Sequence, residues 1–193
     1  FLLRDYLSIY YDKVDGAIIM GTGHQPKAIL NMLMPVVKRE IKAHGFDNST
    51  EKIKKLSFET YNQKFAPNMT AVDWLCSDTT ERIKYRGDPL CRKTISAGLF
   101  WQLLDSMKRT GNLSSYRRWD KQMPVLLLSG EKDPVGDFGK GVQRVKQSMS
   151  KAGMKHVQMR FIPNARHDLL HEVKNGGSEE AFDILTNWLF ENI

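Results

Sequence analysis

Asp133 and His167 are the two residues whose types and surroundings best suit chemistry together. Asp133 follows Met123-Pro-Val-Leu-Leu-Leu-Ser-Gly130, an apolar run that ends in glycine and then a charged turn, Glu131-Lys-Asp-Pro-Val-Gly-Asp137. His167 follows Val157-Gln-Met-Arg-Phe-Ile162 and the loop Pro163-Asn-Ala-Arg. Each unit reads as a buried parallel strand delivering a side chain to its carboxyl end, where ligands and catalytic groups collect in open α/β sheets. A carboxylate that accepts from one imidazole nitrogen fixes the tautomer and leaves the other nitrogen to deprotonate a hydroxyl. Acid before base is the order of the last two members of a Ser…Asp…His triad. The plain alternative is an ordinary histidine and a common Asp-Pro turn, with Asp137 a rival on that turn. The paired strand ends favour function. No nucleophile is evident: Ser8 and Ser129 lie outside any G-x-S-x-G, and Ser129 falls inside the predicted strand.

Two other patterns are weaker. His167-Asp-Leu-Leu-His171 approaches the zincin H-E-x-x-H, with Glu191 as a conceivable third ligand. Aspartate in the second position reaches a zinc-bound water poorly, and the stretch follows Pro163-Asn-Ala-Arg, where a loop is expected. No metal site is therefore expected. Gly136-Asp-Phe-Gly-Lys-Gly141 fits neither phosphate-binding glycine pattern and reads as a turn admitting a helix.

At 193 residues, 41% of them hydrophobic and 26% charged, the chain can bury a sizeable core as a single domain. The net charge of +7 is carried by scattered basic residues with no aromatic interleaving, so it does not point to nucleic acid. Contact with a membrane is expected to be peripheral at most. Cys76 and Cys91 fit no metal or redox spacing, which favours reduced thiols and a cytoplasmic setting. The chain lacks an initiator Met and a signal-peptide pattern at Phe1-Leu-Leu-Arg-Asp, and is expected to begin within a longer protein.

The elements that would position the pair can be read in order. Phe1 to Tyr11 has helical periodicity with no cap before it, and Val14 to Met20 reads as a short buried strand closed by Gly21-Thr-Gly23. A helix feeding a parallel strand is the second half of a crossover, so a further strand is expected before residue 1. Residues 24–122 then lose strand character and read as a helical insertion. Its clearest members are an amphipathic helix over Pro26 to Lys42, kinked at Pro35, and one over Thr94 to Lys108. A shorter helix starts at Ser49-Thr-Glu, and a third segment, Ala71 to Cys76, opens at Asn68-Met-Thr. Residues 123–193 return to the sheet, with a crossover helix over Gly139 to Lys151 and a last helix capped by Ser178-Glu-Glu. The fold class is thus α/β, in three parts: 1–23, 24–122 and 123–193.

These residues resemble the bacterial monoacylglycerol lipase and lysophospholipase-like α/β-hydrolases of the serine aminopeptidase S33 type. Pro124 to Asp137 is similar to the acid strand and loop of that family, and Phe161-Ile-Pro-Asn-Ala-Arg-His-Asp-Leu-Leu-His-Glu172 to its histidine loop. Trp74-Leu-Cys-Ser-Asp78 and Asp88-Pro-Leu-Cys91 look like its cap segments, and Phe1-Leu-Leu-Arg-Asp-Tyr6 like the helix after the nucleophile elbow. The likeness spans the whole chain and implies the C-terminal part of an α/β-hydrolase sheet with an inserted helical cap. It implies a serine ester hydrolase acting on lipid-like substrates without metal or cofactor, with Asp133 as acid and His167 as base. The serine and the oxyanion hole would lie upstream of Phe1. Leu99, Phe100, Trp101 and Met107 of the cap, with Val135 and Leu169, are expected to wall an apolar acyl pocket, and cap packing alone would also explain the cap members. The partner expected beside the 14–20 strand is the N-terminal segment of the same protein, packed there as another segment or chain. A peptidase on the same scaffold and a non-catalytic binding module remain as alternatives.

Overall fold

Three short strands run side by side in the computed structural model, which describes residues 1–91 and 94–193. They are β1 (Ala17–Met20), β2 (Val125–Gly130) and β3 (Val157–Ile162), in the order β1-β2-β3 with both pairings parallel. The register sets Val125 beside both Ala17 and Val157, so β2 is the central strand. All six of its residues are buried, as a strand covered on both faces requires. β1 is shorter than its apolar pattern suggested, and Val14 packs on the core from outside the strand. No described residue pairs with the outer side of β1, so the neighbour expected there is not part of this structure.

The helices are α1 (Leu2–Leu7), α2 (Lys27–His44), α3 (Glu51–Lys54), α4 (Thr60–Asn62), α5 (Thr79–Gly87), α6 (Ala97–Thr110), α7 (Leu113–Arg117), α8 (Lys140–Lys151) and α9 (Gly177–Asn192). Alternation along β2 divides the core into two faces. Val125 and Leu127 pack with Leu7 of α1, Trp119 and the inward stripe Val142, Val145 and Met149 of α8. Leu126 and Leu128 pack with Ile162, Leu169 and with Ala181 and Trp188 of α9. Truncating any of these leucines to alanine removes roughly 2–5 kcal/mol, the usual cost of a core cavity.

Between β1 and β2 lies the helical insertion, which has its own core. Leu30, Met34 and Val37 of α2 meet Ile53 and then Ala97, Phe100, Leu104 and Met107 of α6. Pro35 is accommodated on the exposed side of α2, where water can reach the Asn31 carbonyl that loses its helical donor. α3 starts as its sequence suggests, with the Thr50 hydroxyl accepting from the Ile53 amide. The run then widens into a π turn, Lys55–Glu59, before α4. The segment 71–76 is a turn braced by Asp73, whose carboxylate accepts from the Met69 and Thr70 amides at 2.7 and 3.1 Å.

One expectation at the end of the chain is corrected. Ser178 does not cap α9; Gly176 occupies that position with φ +72°, and Ser178 lies inside the first turn with its amide on the Glu172 carbonyl at 2.9 Å. Glycine takes the left-handed conformation there without the penalty that a side chain would add.

Candidate active site

The carboxyl ends of all three strands converge. β2 ends in Gly130, and the backbone of the next strand's loop passes directly over it: a Cβ on Gly130 would lie 2.2 Å from the carbonyls of Ala165 and Arg166. That close approach lets the Lys132 amide donate to Ala165 at 2.8 Å and the Glu131 amide to Ile162 at 3.1 Å. The two loops are therefore stitched together just where Asp133 and His167 leave them.

Asp133 is fully buried. Its Oδ1 accepts from the Val135 amide at 2.8 Å, and its Oδ2 lies 3.1 Å from Nδ1 of His167. A carboxylate can only accept, so the shared proton belongs to Nδ1 and Nε2 keeps a free lone pair. The imidazole lies over Gly21 at the end of β1, where φ is +59° and a Cβ would stand 2.8 Å from Cε1. Its other neighbour is the Trp74 ring, 5.2 Å between centroids. Asp137, the rival carboxylate on the same turn, instead faces Arg144 at 3.9 Å.

His171 belongs to a different pair: its Nδ1 lies 2.9 Å from Asp168 Oδ2, and this neighbouring carboxylate raises its pKa above the usual histidine value. The stretch from 167 to 171 is a bend followed by a 3-10 turn, not the α-helix that would turn two imidazoles onto one ion. No cluster of three or more metal-ligating side chains occurs among the described residues. Ser129 is buried within β2, with its hydroxyl 3.4 Å from the Gly130 carbonyl, and the Ser8 hydroxyl donates to the Asp5 carbonyl in the turn after α1. Cys76 and Cys91 are free thiols, and burial pushes Cys76 up to about 11, far from a reactive thiolate.

His167 lines a cavity of about 790 Å³ between the strand ends and the insertion. Phe100, Val135 and Leu169 are in its wall, as are Leu30, Leu33, Leu103, Leu104 and Met107. Leu99 is not; it projects from α6 at 55% exposure, one residue out of phase with the buried stripe of Phe100, Leu104 and Met107. Trp101 likewise packs into the core of the insertion rather than lining the cavity. Leu56, Ser57 and Phe58 are also in the wall, carried there by the π turn, which no local sequence pattern marks. Gly21 is there too, and the Gly-Thr-Gly that closes β1 is the sequence sign of its close approach to the imidazole. The polar groups among these walls are few. Gln25 donates to the Tyr61 hydroxyl at 3.3 Å, and burial, aided by the Asp133 charge, raises the Tyr61 pKa.

A family model described as serine aminopeptidase, S33, matches residues 2–174. No curated protein sequence matches the chain. Among solved structures, the chain is similar to a highly thermostable carboxyl esterase from Bacillus coagulans in complex with glycerol. That pair shares 20% identity at a TM-score of 0.80, covering 95% of this chain and 60% of that one. An open-form lipase gives 19% identity and a TM-score of 0.81 over 97% of this chain and 59% of that one. The monoacylglycerol lipase of Paleococcus ferrophilus gives 17% and 0.67 over 99% and 64%. The chain thus spans about three-fifths of the length of these structures, and the likeness establishes an α/β-hydrolase fold.

Proposed function

The chain belongs to the serine aminopeptidase S33 family, and from that premise we propose that it carries the acid and base of a serine hydrolase cleaving carboxylic esters of monoacyl lipids. The observation that carries the reading is the buried Asp133 bound to His167 at 3.1 Å on the wall of a large apolar cavity. In this mechanism Nε2 of His167 takes the proton of a serine hydroxyl as its oxygen attacks the ester carbonyl. The same proton then passes to the departing alcohol, leaving an acyl-enzyme. A water molecule, deprotonated by His167, attacks that acyl group and returns the serine. Asp133 holds the ring in the productive tautomer and stabilises its cationic form throughout.

The serine belongs to the segment ahead of Phe1, together with the amides that stabilise the oxyanion. Phe1 and Leu2 line the same cavity as His167, which supports that location. The inserted helices act as a cap, and Leu33, Phe100, Leu104 and Met107 hold the acyl chain. Gln25 and Tyr61 supply polar contacts for the alcohol portion.

The test uses the intact protein with a fluorophosphonate probe and a series of monoacylglycerols, p-nitrophenyl esters and aminoacyl amides. Covalent labelling and preferential cleavage of the esters are expected. Asp133→Asn should lower kcat by about 10⁴-fold, the cost of losing the correct tautomer. Preference for the amides would replace the lipase reading with a peptidase one, and absence of labelling would remove both.

A further inference from the structure

The loop that carries His167 is fastened to the insertion at three points, and a buried carboxylate lies at the centre of the fastening. Glu172 is 1% exposed, and no side-chain cation hydrogen-bonds to it among the described residues. Its two oxygens each accept from the Ser77 amide at 3.0 Å, one also accepts from the Ser77 hydroxyl, and the other accepts from the Arg166 amide at 2.7 Å. Burying a carboxylate is costly unless such donors are in place. Here the donors come from two places that sequence separates widely: the turn after 73–76 and the residue immediately before His167.

The residues on either side of the base are tied to the same turn. The Arg166 guanidinium donates to the carbonyls of Asp73 and Cys76 and lies 4.2 Å over the Phe65 ring. The Asp168 amide donates to the Leu75 carbonyl at 2.7 Å. Trp74, inside that turn, supplies the ring against the imidazole. The turn in turn is braced by Asp73, which lies 3.3 Å from Arg82 of α5. Glu172 itself is anchored from α9, whose Ser178 amide donates to its carbonyl at 2.9 Å.

We propose that Glu172 is a positioning residue for the His167 base, locking segment 73–77 of the insertion to the histidine loop so that the two move as one body. This rests on the hydrolase reading above for its consequence in catalysis, though not for its geometry. With the lock in place, the ring is held between Gly21 and Trp74 and the distance to Asp133 is fixed. Without it, the Ser77 and Arg166 amides are left buried and unpaired, and the loop shifts to satisfy them.

The experiment compares wild type, Glu172→Met and Ser77→Ala of the intact protein. Glu172→Met keeps the length of the side chain but removes both acceptor oxygens, so the Ser77 and Arg166 amides lose their partner and the lock is broken; Ser77→Ala removes only the hydroxyl donor. The readouts are kcat and KM on a short p-nitrophenyl ester, and the low-field proton resonance of the His167 Nδ1–H bound to Asp133, identified by its loss in Asp133→Asn. Glu172→Met should lower kcat about 100-fold, the effect of a displacement near 1 Å, with KM within about threefold, and should shift the resonance. Ser77→Ala should do the same to a smaller degree, and decides the matter should Glu172→Met not fold. Folded variants with unchanged kcat and an unchanged resonance would overturn the proposal. A wild type that neither labels nor cleaves esters would defeat the hydrolase reading instead, and the resonance would still report on Glu172.

Discussion

At the scale of single residues, the site depends as much on what is missing from Gly21 as on what Asp133 and His167 supply. The imidazole occupies the space a β-carbon would fill, 2.8 Å from its Cε1. The backbone there has φ +59°, so an alanine is both strained and in collision with the base. Gly21→Ala should therefore reduce ester hydrolysis by about 100-fold while lowering stability by about 1–2 kcal/mol. Paired kinetic and denaturant measurements check this. A loss of stability without loss of turnover would mean that the ring has room to retreat. Ser129 and Cys76, nucleophilic by type, are buried, and their side chains meet the Gly130 and Asp78 carbonyls rather than His167.

At the scale of elements, the turn over 73–77 binds the helical layer to the site and has an acid-sensitive foundation. Burial opposes the charge on Asp73, but the Thr70 hydroxyl, the Met69 and Thr70 amides and Arg82 outweigh it and hold the carboxyl below its usual value. A depressed carboxylate contributes its full stabilisation above the unfolded value, about 3.9, and loses it as pH falls through the folded value. The protection of the Met69 and Thr70 amides, relative to their intrinsic exchange, should accordingly fall below about pH 4 before that of β2, and Asp73→Asn should abolish that acid step. Equal exchange in wild type and variant across this range would contradict it.

The strands, α2, α6 and α8 were legible in the sequence because each satisfies a local rule: an apolar run ending in glycine, or a stripe at helical spacing. Asp133 and His167 stood out as a pair for a related reason, each lying in the loop that leaves the carboxyl end of a strand. Glu172, Trp74 and the π turn were not, since their roles arise from contacts between distant segments that no window of sequence contains. Leu99 shows the limit of periodicity: Phe100 and Met107 of the same helix line the cavity, whereas Leu99, one position before Phe100, projects to solvent.

At the scale of the whole molecule, apolar side chains remain exposed on two helices, and the β1 edge of the sheet is unpaired among the described residues. Leu2, Leu3, Tyr6 and Tyr10 of and just beyond α1, and Phe182, Leu189 and Phe190 of α9, are all exposed, the last at 86%. Such surface together with an unpaired strand favours association. The 193-residue chain, prepared as it stands, should self-associate at micromolar concentration, and the pair Phe182→Glu and Phe190→Lys should shift it toward monomer in sedimentation. A wild-type chain that is already monomeric would refute this. The Glu172 contact has a consequence of another kind. Ser77 and Glu172 stand 95 positions apart, and synthesis from the N-terminus delivers the insertion long before its anchor. A nascent chain thus holds Trp74 and the Ser77 amide in waiting, and its base becomes competent only after β3 and the start of α9 have left the ribosome.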